Sequence, residues 1–148
     1  SEMCIREEIH PRVLAKTVFK VLNTIGSKPI FARSTDYLDK VIDKLKSSQE
    51  VIERIKVNNL NLQDFFDDIR KVAQQLLHSI DEKRRIGRNP YALAVSSVYA
   101  ASIIVSNKYD LQVSVITQRL LSRITEVAEF TIREHLHTLF KIDMAKAL

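Results

Sequence analysis

The sequence predicts an all-α domain organised around one central, buried helix, and three observations support this prediction. The chain has 148 residues, which is enough for one domain with a sizeable core. It contains only 2 Gly and 3 Pro, and 45% of its residues are apolar, a composition typical of compact helical chains. Residues 89–106 contain no Asp, Glu, Lys or Arg, so a helix there has no face suited to water. Such a helix must be surrounded by other helices.

The first third of the chain contains two predicted helices joined by a connector. Residues 7–25 place apolar side chains on one helical face, with acidic residues in the first turn and Gly26 after the end. After a connector that contains Pro29, Thr35 is a candidate N-cap for the next helix. The sequence from Ser47 either continues that helix or begins another one after a break at Ser47 and Ser48.

A long amphipathic helix is predicted at residues 61–82. Its apolar residues form one uninterrupted stripe, which consists of Leu62, Phe65, Phe66, Ile69, Val72, Ala73, Leu76, Leu77 and Ile80. Asn61 is a candidate N-cap, and Gly87 lies beyond the other end. The basic residues at 83–88 complement the negative end of the helix dipole.

The predicted central helix begins at Asn89, a candidate N-cap, and Pro90, a residue favoured in the first turn. Small side chains along this helix allow neighbouring helices to approach closely. They are Ala92, Ala94, Ser96, Ser97, Ala100, Ala101 and Ser102. A polar loop is predicted next, at residues 106–112.

Two short helices are predicted after that loop, from the apolar stripes of residues 114–124 and 128–142. Only the short sequence TEVA joins them, a pattern typical of a helix-turn-helix, whose second helix can enter a DNA major groove. The exposed face of the second helix is then predicted to consist of Phe130, Arg133, Glu134, His137 and Lys141. The alternative is an ordinary amphipathic helix with a polar outer face.

Charge and cysteine content narrow the class of protein. A formal net charge of +5 is compatible with a polyanionic partner, although many ordinary cellular proteins are equally basic. Cys4 is the only cysteine, so no internal disulfide can form, which fits an intracellular compartment. The sequence has no secretory signal pattern and no continuous apolar run of membrane-spanning length. These features predict a soluble intracellular protein.

No motif for catalysis or cofactor binding is recognised. The chain has no glycine-rich phosphate loop, no Ser or Cys in a nucleophile motif, and no pair of His at the i, i+4 spacing. His135 and His137 are two positions apart, so on a helix they point about 200° apart and are not expected to share a metal ion. The sequence therefore predicts a protein that is not an enzyme and that requires no cofactor or metal.

Residues 87–102, GRNPYALAVSSVYAAS, resemble the third helix of a cyclin-like repeat in transcription factor IIB and its archaeal counterpart, transcription factor B. In that family a Gly-basic-x-Pro start precedes an alanine-rich helix that ends in Tyr-x-Ala-Ser. The matching residues are Gly87, Arg88, Pro90, Ala94, Tyr99, Ala101 and Ser102. The sequence that follows resembles the closing helix-turn-helix of the family. This second match consists of Thr117, Gln118, Val127, Thr131, Ile132 and Arg133.

The resemblance is firm over residues 61–141 and implies a divergent second repeat of that family. The expected fold is a cyclin-like five-helix bundle at residues 34–148, with a central buried helix and a C-terminal helix-turn-helix. Residues 1–33 would form an N-terminal helix and linker, either the end of a preceding repeat or an addition particular to this protein. The implied function is to bind promoter DNA next to the TATA-box-binding protein and to help recruit RNA polymerase. The implied location is the nucleus of a eukaryote, or the cytoplasm and nucleoid of an archaeon.

The resemblance also implies which residues contact DNA. Arg133 and Phe130 would contact bases, while Thr131 and Gln118 would contact phosphates or support the other two. Contacts to the DNA backbone would come from Arg119, Arg123 and Arg88.

This chain departs from the family pattern near that predicted interface. Family members have Gly in the turn of the helix-turn-helix, whereas this chain has Glu126. Glu129 and Glu134 lie close to Arg133 in the sequence, and carboxylates near phosphates oppose DNA binding. The alternative interpretation is therefore a cyclin-box module that binds proteins through the grooves between its helices, without binding DNA.

Overall fold

The computed structural model describes residues 33–142, and this range contains helices and no strand. The helices are α1 (Arg33–Lys46), α2 (Gln49–Val57), α3 (Leu62–His78), α4 (Glu82–Arg85), α5 (Pro90–Lys108), α6 (Gln118–Thr125) and α7 (Glu129–Thr138). The all-α prediction is confirmed for these residues. The helix predicted at residues 7–25 lies outside them.

Helix α5 is the centre of this fold, as its lack of charge predicts. Fourteen of its 19 residues are buried, and α3, α6 and α7 all pack against it. The buried hydroxyls of Ser97 and Ser102 donate to the carbonyl oxygens of Ala94 and Tyr99 on the same helix, both at 2.7 Å. Because these serines bond within their own helix, they take part in the core without leaving a polar group unpaired.

The length and composition of α5 would also allow it to cross a membrane. However, 78% of its most apolar 18-residue window is buried inside the protein. A helix that is apolar on every side is stable either in lipid or in the middle of other helices. The burial of α5 shows that this fold uses it as a core helix.

Several predicted helix ends are confirmed by their caps. The Asn61 side chain accepts from the Asp64 N–H at 3.0 Å, and the Asn89 side chain accepts from the Tyr91 N–H at 2.8 Å. Ser48 caps α2, so the chain does start a new helix after Ser47 and Ser48. Each cap satisfies an N–H that the first helical turn leaves without a partner.

Other predicted ends are wrong. Helix α1 begins at Arg33, so Thr35 lies inside it and is not its N-cap. The helix predicted at residues 61–82 ends at His78, where the Ser79 hydroxyl donates to the Leu76 carbonyl and the Arg85 guanidinium donates to the Leu77 carbonyl. These side chains satisfy the last carbonyl groups and compete with helix continuation. At the other end of α5, the helix runs to Lys108, through part of the loop predicted at residues 106–112.

Candidate nucleic-acid interface

Helices α6 and α7 are two short helices joined by Glu126, Val127 and Ala128. The predicted succession of two short helices and a tight turn is confirmed. The predicted bounds are wrong, because α6 runs from Gln118 to Thr125 rather than over 114–124, and α7 ends at Thr138 rather than at residue 142. Glu126 adopts the left-handed conformation, with φ 65° and ψ 19°, and its N–H donates to the Ser122 carbonyl at 2.8 Å. The Ser122 hydroxyl donates to the Val127 carbonyl at 2.6 Å and closes the turn. This turn needs the positive φ that glycine adopts without strain, so Glu126 holds it at a cost of about 1 kcal/mol.

The helix pair is anchored to the core through the buried face of α7 and through the N-terminal end of α6. Ile132 and Leu136 of α7 are fully buried. At the start of α6, the Thr117 hydroxyl accepts from the Leu120 N–H at 3.1 Å. The buried Tyr99 hydroxyl of α5 forms a hydrogen bond with the backbone of Gln118, and burial raises the pKa of this tyrosine. The position of α6 therefore depends on a side chain of the central helix.

The first turns of α7 present two large side chains to solvent. Phe130 is 71% exposed, and the Arg133 side chain is 50% exposed, so both lie on the outer face as predicted. His137 is also exposed, as predicted, whereas Glu134 is half-buried. Lys141 is exposed but lies beyond the end of α7, so its predicted place on this helix is wrong. An arginine and an aromatic ring thus stand together near the N-terminus of the second helix.

Glu129 connects two of the predicted DNA contacts. Its Oε1 accepts from Gln118 Nε2 at 3.0 Å and lies 3.9 Å from Arg133 Nη1. The first contact holds the start of α6 against the start of α7. The second is long and half-exposed, so it restrains Arg133 only weakly. Thr131, which is half-buried, lies on the same two turns of α7.

The remaining predicted DNA contacts, three arginines, differ in the ion pairs and hydrogen bonds that they already form within the fold. Arg119 is exposed on α6 and forms no ion pair with another described residue. Arg123, also exposed, donates to Glu50 of α2. Arg88 Nη1 donates to Glu134 Oε1 at 2.8 Å, and its Nε donates to the Arg84 carbonyl at 2.9 Å.

Arg88 is therefore bonded within the fold on both sides of its guanidinium. Its hydrogen bond holds the pKa of Glu134 below the ordinary value for glutamate. The pair joins the start of α5 to α7, which is a structural role that the sequence pattern does not indicate. A second contact in the same region, from the Arg84 guanidinium to the Thr138 carbonyl at 2.6 Å, ties the basic segment to the end of α7.

The buried face of α7 contains a histidine, and the sequence carries little signal for its burial. His135 is 3% exposed, and its Nδ1 lies 2.8 Å from the Ser96 hydroxyl of α5. Burial lowers the pKa of His135, and the nearby charge of Arg88 lowers it further. The available clue in the sequence is that His135 lies between Ile132 and Leu139 on the apolar face of the helix, which favours burial. Within residues 33–142, no cluster of three or more His, Cys, Asp or Glu side chains could hold a metal ion.

Helices α6 and α7 thus form a helix pair with an exposed arginine and an exposed phenylalanine. Nearby carboxylates partly balance the charge of the arginine. Comparison with known proteins adds no relative to this picture. No protein-family model, curated protein or solved structure matches the chain.

Proposed function

We propose that the α6–α7 pair binds double-stranded DNA through the exposed face of α7. The observation that supports this most is the pairing of Phe130 and Arg133 at the solvent side of a helix whose opposite side, through Ile132 and Leu136, is fully buried. An arginine in this position can donate two hydrogen bonds to a guanine edge, and an aromatic ring can contact a thymine methyl group.

The carboxylates near this face reduce its positive potential without blocking it. In the part of the chain that the structure describes, Arg133 pairs with Glu129 alone, at 3.9 Å, and both side chains are about half exposed. Exposed pairs of this kind contribute about 0.2–1 kcal/mol, less than one bidentate contact to guanine. Arg133 can therefore exchange its carboxylate partner for a base with a net gain.

Within this proposal, the wider role is that of a transcription initiation factor of the transcription factor IIB type, with a cyclin-like repeat. The resemblance of residues 87–102 and of the α6–α7 segment supports this role. The TATA-box-binding protein and RNA polymerase are its proposed partners, and the DNA beside a TATA element is its proposed site.

The experiment uses the full chain and a pool of duplexes that carry a TATA element flanked by random sequence. Duplexes are selected with and without a purified TATA-box-binding protein, and binding to the selected duplex is then titrated against salt by fluorescence anisotropy. Arg133→Ala is expected to weaken binding to the selected duplex by about 1–3 kcal/mol and to relax the preference at one base pair. Lys71→Ala is the matched control, because Lys71 is an exposed cation of α3 and belongs to neither α6 nor α7. If no salt-dependent binding is found even with the TATA-box-binding protein present, the proposal is wrong.

A protein-binding module is the second candidate, and a groove between helices favours it. The groove is lined by Lys46, Ile52, Leu62, Gln63 and Phe66, which belong to α1, α2 and α3. This candidate predicts that purified TATA-box-binding protein or polymerase binds the chain without DNA. It also predicts that Leu62→Glu abolishes this binding whereas Arg133→Ala does not.

A further inference from the structure

Lys44 of α1 is linked by hydrogen bonds to the end of α6, next to the turn between α6 and α7. Lys44 Nζ donates to the Tyr91 hydroxyl at 3.1 Å, and that hydroxyl donates to the Thr125 carbonyl, the last residue of α6, at 3.2 Å. Two successive hydrogen bonds therefore connect Lys44 with the residue that precedes Glu126. Lys40 lies one helical turn before Lys44.

Two tyrosine rings support these lysines. Lys40 Nζ lies 5.2 Å from the centre of the Tyr37 ring, and Lys44 Nζ lies 5.2 Å from the centre of the Tyr91 ring. The two rings contact each other edge to face, with their centres 5.7 Å apart. Cation–π contacts of this kind orient an ammonium group without neutralising it. The four side chains form a ladder, which we call the Lys–Tyr strip.

The ammonium groups of the strip keep their charge available. Neither Lys40 nor Lys44 forms an ion pair with a carboxylate of the described residues, although α1 carries three aspartates. One of these, Asp39, is bound by Arg70 at 2.7 Å. By contrast, Arg123 of the proposed interface is paired with a glutamate. Within residues 33–142, the two exposed ammonium groups of the strip thus contact tyrosine rings and no carboxylate.

We propose that Lys40 and Lys44 bind the phosphodiester backbone of duplex DNA beside the α6–α7 turn. This inference rests on the proposed function and extends its interface from α6 and α7 to α1. Side chains one helical turn apart are about 5–6 Å from each other, so the two ammonium groups can reach neighbouring phosphates of one strand. Lysine binds phosphate as a point charge and needs no bidentate geometry.

The strip also lies near Arg123, which already belongs to the proposed interface. Arg123 of α6 donates to Glu50 at the start of α2, only six positions after Lys44 in the chain. The C-terminal half of α1 and the C-terminal half of α6 therefore border each other on one surface. The proposed DNA path therefore extends from Arg123 towards Lys44, since both side chains are linked to residues near the end of α6 and the start of α2.

The test compares the wild-type full chain with the double variant Lys40→Gln, Lys44→Gln on the selected duplex and on a scrambled duplex of equal length. Removal of each lysine–phosphate interaction is expected to lower the slope of log affinity against log salt by about 0.9, so the double variant lowers it by about two. Affinity at ~0.1 M salt is expected to fall on the order of tenfold or more, by the same factor for both duplexes. Sequence preference stays unchanged, because interactions with the DNA backbone carry no base information.

Three matched variants separate charge from structure. Lys40→Arg with Lys44→Arg restores the charge and is expected to restore the slope. Tyr91→Phe removes the two hydroxyl hydrogen bonds but keeps both ammonium groups, so its slope is expected to equal that of the wild type. Lys71→Gln removes an exposed cation of α3 and is expected to leave the slope unchanged. Thermal unfolding of every variant, followed by circular dichroism, confirms that it is folded.

The outcomes separate this inference from the proposed function. If the wild type binds DNA and Arg133→Ala weakens it, but the lysine double variant keeps the wild-type slope, this inference is wrong and the proposed function stands. If the wild type shows no salt-dependent binding to any duplex, both fail. If the double variant loses binding to purified TATA-box-binding protein in the absence of DNA while its DNA slope is unchanged, the strip binds an acidic protein surface and the DNA assignment is overturned.

Discussion

The Nδ1 atom of His135 lies 2.8 Å from the hydroxyl oxygen of Ser96, and both side chains are buried where α7 packs on α5. This contact places a titratable group on the buried face of the helix proposed to read DNA. The surrounding groups act in opposite directions, since burial and Arg88 lower the pKa of His135 whereas Glu134 and the Ala92 backbone raise it. The net result is a lowered pKa, and the neutral imidazole is the form that the fold accommodates.

Stability is therefore expected to fall in mild acid. The folded-state pKa of His135 is below the unfolded value of about 6.5, so the unfolded chain binds this proton more readily. The free energy of unfolding is at its full value above about pH 6.5 and decreases as the pH drops towards the folded-state pKa, with a slope of up to about 1.4 kcal/mol per pH unit. Urea unfolding at about pH 7.5 and about pH 5.5 measures this difference. His135→Gln is expected to abolish most of it, and an equal pH dependence in the two proteins would contradict the assignment.

The Arg88–Glu134 pair is expected to affect both the stability of the fold and the protonation of His135. A double-mutant cycle with Arg88→Met and Glu134→Gln should give a coupling energy of about 0.5–1 kcal/mol at neutral pH, because both groups are partly exposed and screened by solvent. Arg88→Met also removes a charge that lowers the pKa of His135, so its acid-dependent loss of stability should be smaller than that of the wild type. If the effects of the two substitutions on the free energy of unfolding are additive at neutral pH, the ion pair does not stabilise the fold.

Glu126→Gly is expected to stabilise the protein. The left-handed φ of 65° strains a glutamate but not a glycine, so the substitution should raise the free energy of unfolding by about 1 kcal/mol. Glu126→Ala is the control, since it removes the same carboxylate and keeps the strain. Urea unfolding of the two variants distinguishes conformational strain from charge. Equal stability of both would mean that the backbone conformation is not the cause.

Ala100→Leu is expected to destabilise the protein by about 1–3 kcal/mol, because Ala100 is fully buried in α5 and its neighbours leave no room for three more carbons. The same substitution would favour a helix that spans a membrane, since leucine is more apolar than alanine. Ile104→Leu, at a site 39% exposed on the same helix, is the control and should be nearly neutral. A gain of stability in Ala100→Leu would contradict the role of α5 as a tightly packed core helix.

Much of the fold can be predicted from sequence because the relevant interactions are local. The absence of charge at residues 89–106 predicts the burial of α5, and the Asn61 and Asn89 caps act on N–H groups within three positions of themselves. The exposure of Phe130 and Arg133 follows from the helical spacing of Ile132 and Leu136. For each of these features, neighbours along the chain contain the necessary information.

The features that the sequence alone leaves open depend on residues far apart in the chain. Ser96 meets His135 across 39 positions, and Arg88 meets Glu134 across 46, so neither pair has a periodic signature. The link from Lys44 through Tyr91 to Thr125 involves three helices. The sequence by itself determined the helical class, the central helix and the exposed face of α7, because periodicity and capping are local. Only the tertiary structure decided which charges are neutralised and which remain available, because that depends on the side chains that packing brings together.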